Sequence, residues 1–400
     1  MMLFNVRTRS ITFFLFVLYY LVQSPGYAQL QTEAVNAGTK ITIHSSVLNE
    51  DRTFYISLPA SYNLYPKAHY PVLYASDGPG FFPMISGQVN FLSDNFSIIP
   101  QMIVVCIDNP QRGRDLIPPF NPGSGSRPND TARPGKQRMK GEGDRYLKMI
   151  KEDIIPYVES HYSTAPYRIF CGHSLGGLTA FNALLKFPEI FQAYIAISPS
   201  LQVGNGWAIR TADSVFQQGA RFSKKLFYSD GNEGAGFHKN QLRMDSLLKE
   251  KRLTDFAYTY VHYENETHLS EPVKALYDGL RFLYPDWYPN LDMDKATAYR
   301  DIAAHYDALS KRYGYIIKPP EKYMDRYAHD LLAKPEKTDA AITIFVINAG
   351  NYPHSYSAYE GLGDAYKAKG DKVNGLVNYR KALILNPGNE ELMEKIDALD

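Results

Sequence analysis

The stretch that decides the fold lies between Tyr167 and Gly177 and reads YRIFCGHSLGG. Its first half is mostly aromatic and aliphatic, which predicts a buried strand. Glycines flank the serine, and small and apolar residues follow it, so the strand is expected to turn sharply into a helix. Such a turn holds a serine exposed above a sheet, at a helix N-terminus whose dipole favours developing negative charge. Ser174 is therefore a candidate nucleophile; the alternative is a serine that only caps a helix.

Strands and helices alternate on both sides of this turn. Short apolar runs predict strands at 70–75, 102–107, 191–197, 225–229 and 256–263, and helical patterns cover 144–162, 240–251 and 271–284. Two further strands, at 40–47 and 53–58, are spaced as a hairpin. The alternation predicts an α/β fold, with a mostly parallel sheet and helices on both faces. With 44% apolar residues, the chain can bury a sizeable core.

Charge and cysteine content narrow the class of protein. The formal net charge is +1, so bulk electrostatics gives no indication of nucleic-acid binding. Cys106 and Cys171 both fall in apolar strand patterns. They can be buried free thiols or, in an exported protein, a disulfide. In either case the fold does not depend on a disulfide framework.

The first 28 residues have the pattern of an export signal. Arg7 and Arg9 form a basic start, 11–22 is apolar, and small residues near Ala28 offer a cleavage site before Gln29. Retention as a membrane anchor is the alternative, but the apolar run is short for a membrane span. We expect cleavage, a periplasmic or secreted protein, and no stable membrane insertion afterwards.

The chain is expected to divide into a signal peptide at 1–28, a catalytic domain at 29–289, a helical linker at 290–337 and a small all-α repeat region at 338–400. The last region carries the pattern of a tetratricopeptide repeat. The pattern residues are Tyr359, Leu362, Gly363, Tyr366, Gly370, Tyr379, Ala382 and Pro387. Two repeats are few for a free-standing solenoid, so the region is expected to pack on the catalytic domain or bind a protein partner. An unrelated helical hairpin is the alternative.

A serine hydroxyl needs a base to take its proton and an acid to orient the base. When the chain order is serine, acid, histidine, the histidine follows the last strand. His268 meets this condition, because it lies between the strand at 256–263 and the helix at 271–284. The acid is expected after the preceding strand, where Asp230 and Glu233 both qualify. The residues themselves do not separate these two.

An oxyanion hole needs two backbone N–H groups. One is expected from Leu175, the residue after the nucleophile. The other is expected from the segment after the strand at 70–75, where Pro79 has no N–H and Gly78 or Gly80 must donate.

Five pieces of the sequence together resemble the esterase family of α/β-hydrolases, which includes siderophore, feruloyl and acetyl-xylan esterases, S-formylglutathione hydrolase and the mycolyltransferase antigens. The pieces are LYASDG at 73–78, EDIIPYV at 152–158, GHSLGG at 172–177, GNEG at 231–234 and THLS at 267–270. The resemblance implies an α/β-hydrolase fold and a serine carboxylic-ester hydrolase. It favours Glu233 over Asp230 as the acid, and a tetratricopeptide tail occurs in some exported bacterial members.

The segment between about 109 and 143 is rich in proline, glycine and serine. It carries a set of basic residues: Arg112, Arg114, Arg127, Arg133, Lys136, Arg138 and Lys140. A solvated insertion is one interpretation. The other is a basic flap beside the site, with Arg112 and Arg114 binding an anionic substrate such as a ferric catecholate siderophore or an acidic glycan ester.

These patterns predict an exported serine esterase that uses Ser174, His268 and one of the two acids. No metal or organic cofactor is implied. Two alternatives stay open. One is a binding or scaffold protein that acts through its repeat region, and the other is an acyltransferase that passes the acyl group to a second alcohol. The sequence does not identify the acyl group, the alcohol or the partner of the repeats.

Overall fold

Eight strands form one sheet in the order β1-β2-β4-β3-β5-β6-β7-β8. The strands are β1 Thr39–Ser45, β2 Glu50–Ser57, β3 Tyr70–Ala75, β4 Ile103–Ile107, β5 Thr164–His173, β6 Ala193–Ile197, β7 Lys224–Gly231 and β8 Phe256–Tyr263. The first two form an antiparallel hairpin, β2 runs antiparallel to β4, and all other pairs are parallel. The predicted α/β fold with a mostly parallel sheet is confirmed.

The computed structural model describes residues 37–120, 141–217, 222–289 and 298–400. The predicted signal peptide at 1–28 and five of the seven basic residues of the predicted flap lie outside these residues. From 37 to 400 the chain forms one compact unit. None of the described helices is both long enough and apolar enough to cross a membrane.

Helices cover both faces of the sheet and bury its central strands. They are α1 Gly78–Asn90, α2 Arg112–Leu116, α3 Gly143–Met149, α4 Ile155–His161, α5 Leu175–Lys186, α6 Val203–Gln217, α7 Ala235–Lys251 and α8 Glu271–Leu283. Every residue of β3, β4 and β6 is buried, as expected for parallel strands between two helical layers. A π-helical turn, Ile150–Ile154, joins α3 to α4. Pro156 follows it and has no N–H for the regular helical hydrogen bond.

The sequence patterns did not predict α1, α2 or α6. Helix α1 contains Gly80, Pro83 and Gly87, which lower its intrinsic helix propensity. It forms because Phe82 and Val89, among other apolar side chains, are buried against the sheet. Tertiary packing therefore outweighs local propensity in this helix.

Six helices follow the sheet: α9 Ala298–Tyr313, α10 Glu321–Leu332, α11 Thr338–Asn351, α12 Tyr356–Ala368, α13 Lys372–Leu385 and α14 Glu390–Asp397. The first two occupy most of the predicted linker at 290–337. The first of them, α9, packs against the sheet, since the Tyr313 ring lies 5.1 Å from that of Tyr167 in β5 and 5.0 Å from that of Tyr284. The predicted boundaries at 289 and 337 stay predictions.

Candidate active site

Ser174 lies between β5 and α5 in a strained backbone conformation, with φ of 59° and ψ of −112°. Positive φ is unusual for a residue with a side chain, and it persists only where the surroundings enforce it. The flanking glycines explain how the turn fits. A Cβ on Gly172 would lie 2.2 Å from the carbonyl oxygen of Gly176, and a Cβ on Gly176 would lie 2.1 Å from Ser76 Oγ. The sequence therefore folds here into the sharp strand-to-helix turn that its glycines predict.

His268 and Glu233 come together beside this turn. The acid follows β7, the histidine follows β8, and His268 Nδ1 lies 2.5 Å from Glu233 Oε2. Burial alone would raise the pKa of Glu233, but hydrogen bonds from His268 and Ser198 outweigh burial and hold the pKa below its ordinary value. The carboxylate is therefore ionised at neutral pH and accepts a hydrogen bond from the histidine ring.

Asp230, the other candidate acid, faces a different group of side chains. Its carboxylate lies 2.8 Å from His238 Nδ1 and 2.9 Å from His262 Nδ1, and it accepts a hydrogen bond of 2.7 Å from Tyr260. Glu233, and not Asp230, is thus the acid that contacts His268. Of the described residues, only Asp230, His238 and His262 form a cluster able to hold a metal ion.

His173, next to the serine, supports the backbone of His268. Its Nε2 lies 2.8 Å from the carbonyl oxygen of His268, and the two rings are 4.4 Å apart. Burial, together with the nearby His268, lowers the pKa of His173 to about 4. The ring is therefore neutral at pH 7, and the carbonyl partner places its proton on Nε2.

Ser198 contacts Glu233 from its other side and links it to Glu271, and the sequence patterns singled out neither Ser198 nor Glu271. Ser198 follows β6 with φ of 41°, and its hydroxyl is hydrogen-bonded to both Glu233 Oε1 and Glu271 Oε2. Burial raises the pKa of Glu271 to about 7. One feature of the sequence could have pointed to Ser198: it directly follows β6, the strand beside β5, at its carboxyl end.

The serine and the histidine line the same open cavity, which has a volume of about 470 Å³. The rest of its wall consists of Asp77, Pro79, Gly80, Phe81, Asp108, Asn109, Arg112, His173 and Leu269. Leu269 stands at the rim with 85% of its surface exposed. A cavity with apolar rings, acidic groups and one arginine at a strained serine can bind a polar ester and react with it.

The candidate oxyanion donors lie at two helix N-termini, where the first N–H groups have no partner within their own helix. Leu175 begins α5, and Gly80 is in the first turn of α1 and lines the cavity. Gly78 does not line it: a Cβ there would lie 2.9 Å from the Cys106 carbonyl oxygen, so this glycine is wedged against β4. Of the two glycines, Gly80 is the one in a position to face a substrate.

The two arginines predicted to bind substrate differ in position. Arg112 lines the cavity, where it donates hydrogen bonds of 2.6 and 3.1 Å to Asp77 and one of 3.1 Å to the His173 carbonyl. Arg114 does not line the cavity, contrary to the prediction. Its guanidinium is occupied by Glu50, at 2.5 and 2.9 Å, and by Asp115. Arg114 belongs to an internal ion-pair network, because these carboxylates satisfy its donors.

Known proteins resemble this chain in both sequence and fold. A family profile described as "Putative esterase" matches residues 45–270. The chain belongs to this esterase family. The ferri-bacillibactin esterase BesA of Bacillus subtilis is 27% identical over 280 residues, which cover 64% of this chain and 93% of BesA. A siderophore enterobactin esterase of Emericella nidulans is 34% identical over 154 residues, 36% of this chain and 49% of that protein.

A solved structure agrees with these relatives. The crystal structure of an IroE-like serine hydrolase from Shewanella oneidensis superposes with a TM-score of 0.63 at 27% identity, covering 76% of this chain and 95% of the other. The resemblance seen in the sequence motifs is thereby confirmed at the level of the esterase family. The protein is an ester hydrolase with the α/β-hydrolase fold.

Proposed function

We propose that this esterase hydrolyses an ester of a siderophore with Ser174 as nucleophile, His268 as general base and Glu233 as the orienting acid. The observation that carries the proposal is the contact between His268 Nδ1 and Glu233 Oε2 at the cavity that also contains the strained serine. An acid that accepts a hydrogen bond from Nδ1–H keeps the ring proton on Nδ1 and leaves the lone pair on Nε2, the ring atom that takes the serine proton.

Acylation follows from this arrangement. Ser174 Oγ attacks the ester carbonyl while His268 takes its proton, and the tetrahedral intermediate carries its negative charge near the N-termini of α5 and α1. The N–H groups of Leu175 and Gly80 stabilise this oxyanion. When the intermediate collapses, His268 gives the proton to the leaving alcohol, and the acyl group stays on the serine.

Deacylation repeats these steps with water. His268 removes a proton from the attacking water, the carboxylic acid leaves, and the proton returns to Ser174. The ionised Glu233 stabilises the imidazolium that forms in each half of the reaction. Its low pKa keeps it negative throughout, so it orients the base without accepting the proton.

The substrate class rests on the relatives and on the cavity. BesA and the Emericella enzyme are named for siderophore esters. The cavity is open, so the bulk of a large iron chelate can stay outside while one ester bond reaches Ser174. The exposed Leu269 offers an apolar rim for aromatic rings of such a ligand. Arg112 lines the cavity, and although it is paired with Asp77, 39% of its side chain is exposed, so a negatively charged group of the ligand can approach its guanidinium.

We also propose that the protein is exported and that α11–α14 are a tetratricopeptide-like array that binds a protein. Helices α11 and α13 begin at 338 and 372 and end at 351 and 385, so both bounds are 34 residues apart. This equals the repeat length. Phe345 of α11 and Tyr379 of α13 each pack on a glycine of α12, Gly361 and Gly363. The equal spacing of α11 and α13, whose aromatic rings both pack on the helix between them, supports a repeat.

The substrate is tested with the full-length protein and a matched set of esters. A ferric catecholate triester, a feruloyl sugar and an acetylated sugar are compared at equal concentration, each with wild type and Ser174→Ala. We expect the siderophore ester to give the highest kcat/KM, by about tenfold or more, and Ser174→Ala to reduce its hydrolysis by at least about 10³-fold. A preference for a sugar ester would overturn the substrate class, and full activity of Ser174→Ala would overturn the mechanism.

A further inference from the structure

Asp230 and the histidines around it form a group of possible metal ligands. This group is separate from His268 and Glu233. Asp230 ends β7, His262 is its register partner on β8, and His238 lies in the first turn of α7. Three elements of regular structure thus hold the donor atoms. The serine mechanism makes no use of this cluster.

The carboxylate of Asp230 is fully buried, yet its partners are not strong cations. Among the described residues, its ion pairs are those with His238 and His262, and Tyr260 donates to the same oxygen that faces His262. Burying an ionised carboxylate is costly unless a positive charge compensates it. Each imidazole can offer a ring-nitrogen lone pair in place of a proton, so a bound cation could sit between the two rings and the buried carboxylate and compensate its charge.

The donor atoms have the spacing of a first coordination shell. His238 Nδ1 lies 2.8 Å from Asp230 Oδ2, His262 Nδ1 lies 2.9 Å from Oδ1, and all three donors fall within 4.8 Å of one another. Bonds of about 2.0–2.2 Å to a tetrahedral ion place neighbouring ligands about 3.3 Å apart. Small side-chain movements would let one ion replace the two protons that now join the histidines to the carboxylate.

The chemistry of the cluster selects the kind of ion. Two imidazoles and one carboxylate suit first-row transition metals and zinc, and not calcium or magnesium, which prefer oxygen ligands alone. Both histidines keep about 30% of their side chains exposed, so an ion can enter from solvent. On binding, each neutral ring would carry its proton on Nε2, and the Tyr260 hydroxyl, 3.3 Å from His238 Nδ1, could stay hydrogen-bonded to the carboxylate.

We propose that Asp230, His238 and His262 form a binding site for a divalent transition-metal ion such as Zn²⁺. The ion fastens the start of α7 to the ends of β7 and β8. Glu233 lies in the short connection between β7 and α7, so the site also fixes the loop that presents this carboxylate to His268. The ion takes no part in ester chemistry and acts on the stability of this edge of the sheet.

Zn²⁺ alone, added to full-length protein that has been stripped with a chelator, tests the site by calorimetric titration. We expect one equivalent bound with a Kd below about 10 µM. His262→Ala and His238→Ala should each weaken binding by about tenfold or more. His44→Ala is the matched control, because His44 Nδ1 also faces a carboxylate, Asp51 at 3.0 Å, but that pair is exposed.

Two more measurements keep the test decisive. Thermal unfolding without metal shows whether each variant is folded, and added Zn²⁺ should raise the melting temperature of wild type but not of His262→Ala. His268→Ala must retain the bound equivalent, since its loss would place the ion at the ester-hydrolysing site instead. Absence of stoichiometric binding, or equal binding by wild type and folded His262→Ala, overturns the proposal.

Discussion

Glu233 occupies the centre of a chain of hydrogen bonds that runs from His268 through Ser198 to Glu271. A hydroxyl has one proton, so Ser198 cannot donate to two carboxylates at once. The raised pKa of Glu271 and the lowered pKa of Glu233 resolve the conflict, since one carboxyl is readily protonated and the other stays ionised. The surroundings of the two acids therefore favour different protonation states, with Glu233 ionised and Glu271 readily protonated.

Glu233→Gln removes the negative charge that orients His268. We expect kcat on the preferred ester to fall by about 10²–10⁴-fold with little change in KM, because the lost interaction strengthens as the imidazolium forms. Glu266→Gln is the control, since Glu266 lies in the loop just before His268 and its carboxylate accepts a hydrogen bond from Ser270. Steady-state kinetics of the two variants measure the effect. Equal activity of Glu233→Gln and wild type would show that Glu233 is not the acid that orients His268.

The raised pKa of Glu271 predicts that the protein becomes less stable as the pH rises. Its pKa is about 7 when folded, against an ordinary value of 4.5, so the folded state holds the proton more tightly across this interval. The free energy of unfolding therefore falls as pH rises from 4.5 to 7, by about 3 kcal/mol for this group, and stays lower above it. Glu271→Gln cannot ionise and should lack this part of the decline.

Urea unfolding at pH 5 and pH 8 measures the effect. The difference between the two pH values should be smaller for Glu271→Gln than for wild type. Glu264→Gln, at an exposed position directly after β8, should show the same difference in the free energy of unfolding as wild type. Identical pH dependence of wild type and Glu271→Gln would show that Glu271 titrates normally.

The turn between β5 and α5 is the element on which the site depends. Its geometry was predictable, because glycine spacing, a buried strand and a following helix are all local features of the sequence. The start of α1 could not be predicted from the sequence, because its glycines and proline disfavour a helix. The helix forms only because it packs on the sheet. Arg114 was misassigned for a related reason: its partner Glu50 is 64 residues away in the sequence.

Gly172→Ala tests the closeness of packing in this turn. The added methyl would lie 2.2 Å from the Gly176 carbonyl oxygen, which belongs to backbone and cannot move aside cheaply. We expect a loss of about 3 kcal/mol or more in stability, or failure to fold, with activity lost in either case. Gly236→Ala, where the methyl meets nothing within 4 Å and the residue lies in α7, should unfold at or slightly above the wild-type temperature. A fully stable and active Gly172→Ala would contradict the geometry of the turn.

At the scale of the whole molecule, the carboxyl-terminal helices and the sheet share one apolar core. Tyr313 of α9 is buried against Tyr167 and Tyr284, and the Lys225 ammonium lies 5.2 Å from the centre of its ring. Its hydroxyl donates a hydrogen bond of 2.8 Å to the Leu283 carbonyl. The sequence indicated the helices of this region, but which face of the sheet they cover depends on contacts between distant segments, which no local pattern encodes.

Tyr313→Ala should therefore destabilise the entire protein and not only its tail. Removing a buried ring costs about 3–5 kcal/mol, and here the Leu283 carbonyl also loses one of its two donors, the other being Lys225 Nζ at 2.7 Å. Tyr356→Ala, at a half-exposed position of α12, should cost less than about 1 kcal/mol. Urea unfolding followed by far-ultraviolet circular dichroism and by residual esterase activity should give coincident transitions. Loss of helical signal before loss of activity would show that the two regions unfold independently.

The most direct test of the central claim is covalent labelling by a fluorophosphonate, followed by mass spectrometry of the digested protein. An activated serine reacts with this reagent, whereas a serine that only caps a helix does not. We predict one adduct, located on Ser174 and not on Ser200, whose hydroxyl lies only 3.3 Å away, and loss of ester hydrolysis in step with labelling. An unlabelled protein that still hydrolyses esters, or an adduct on another residue, would contradict the account.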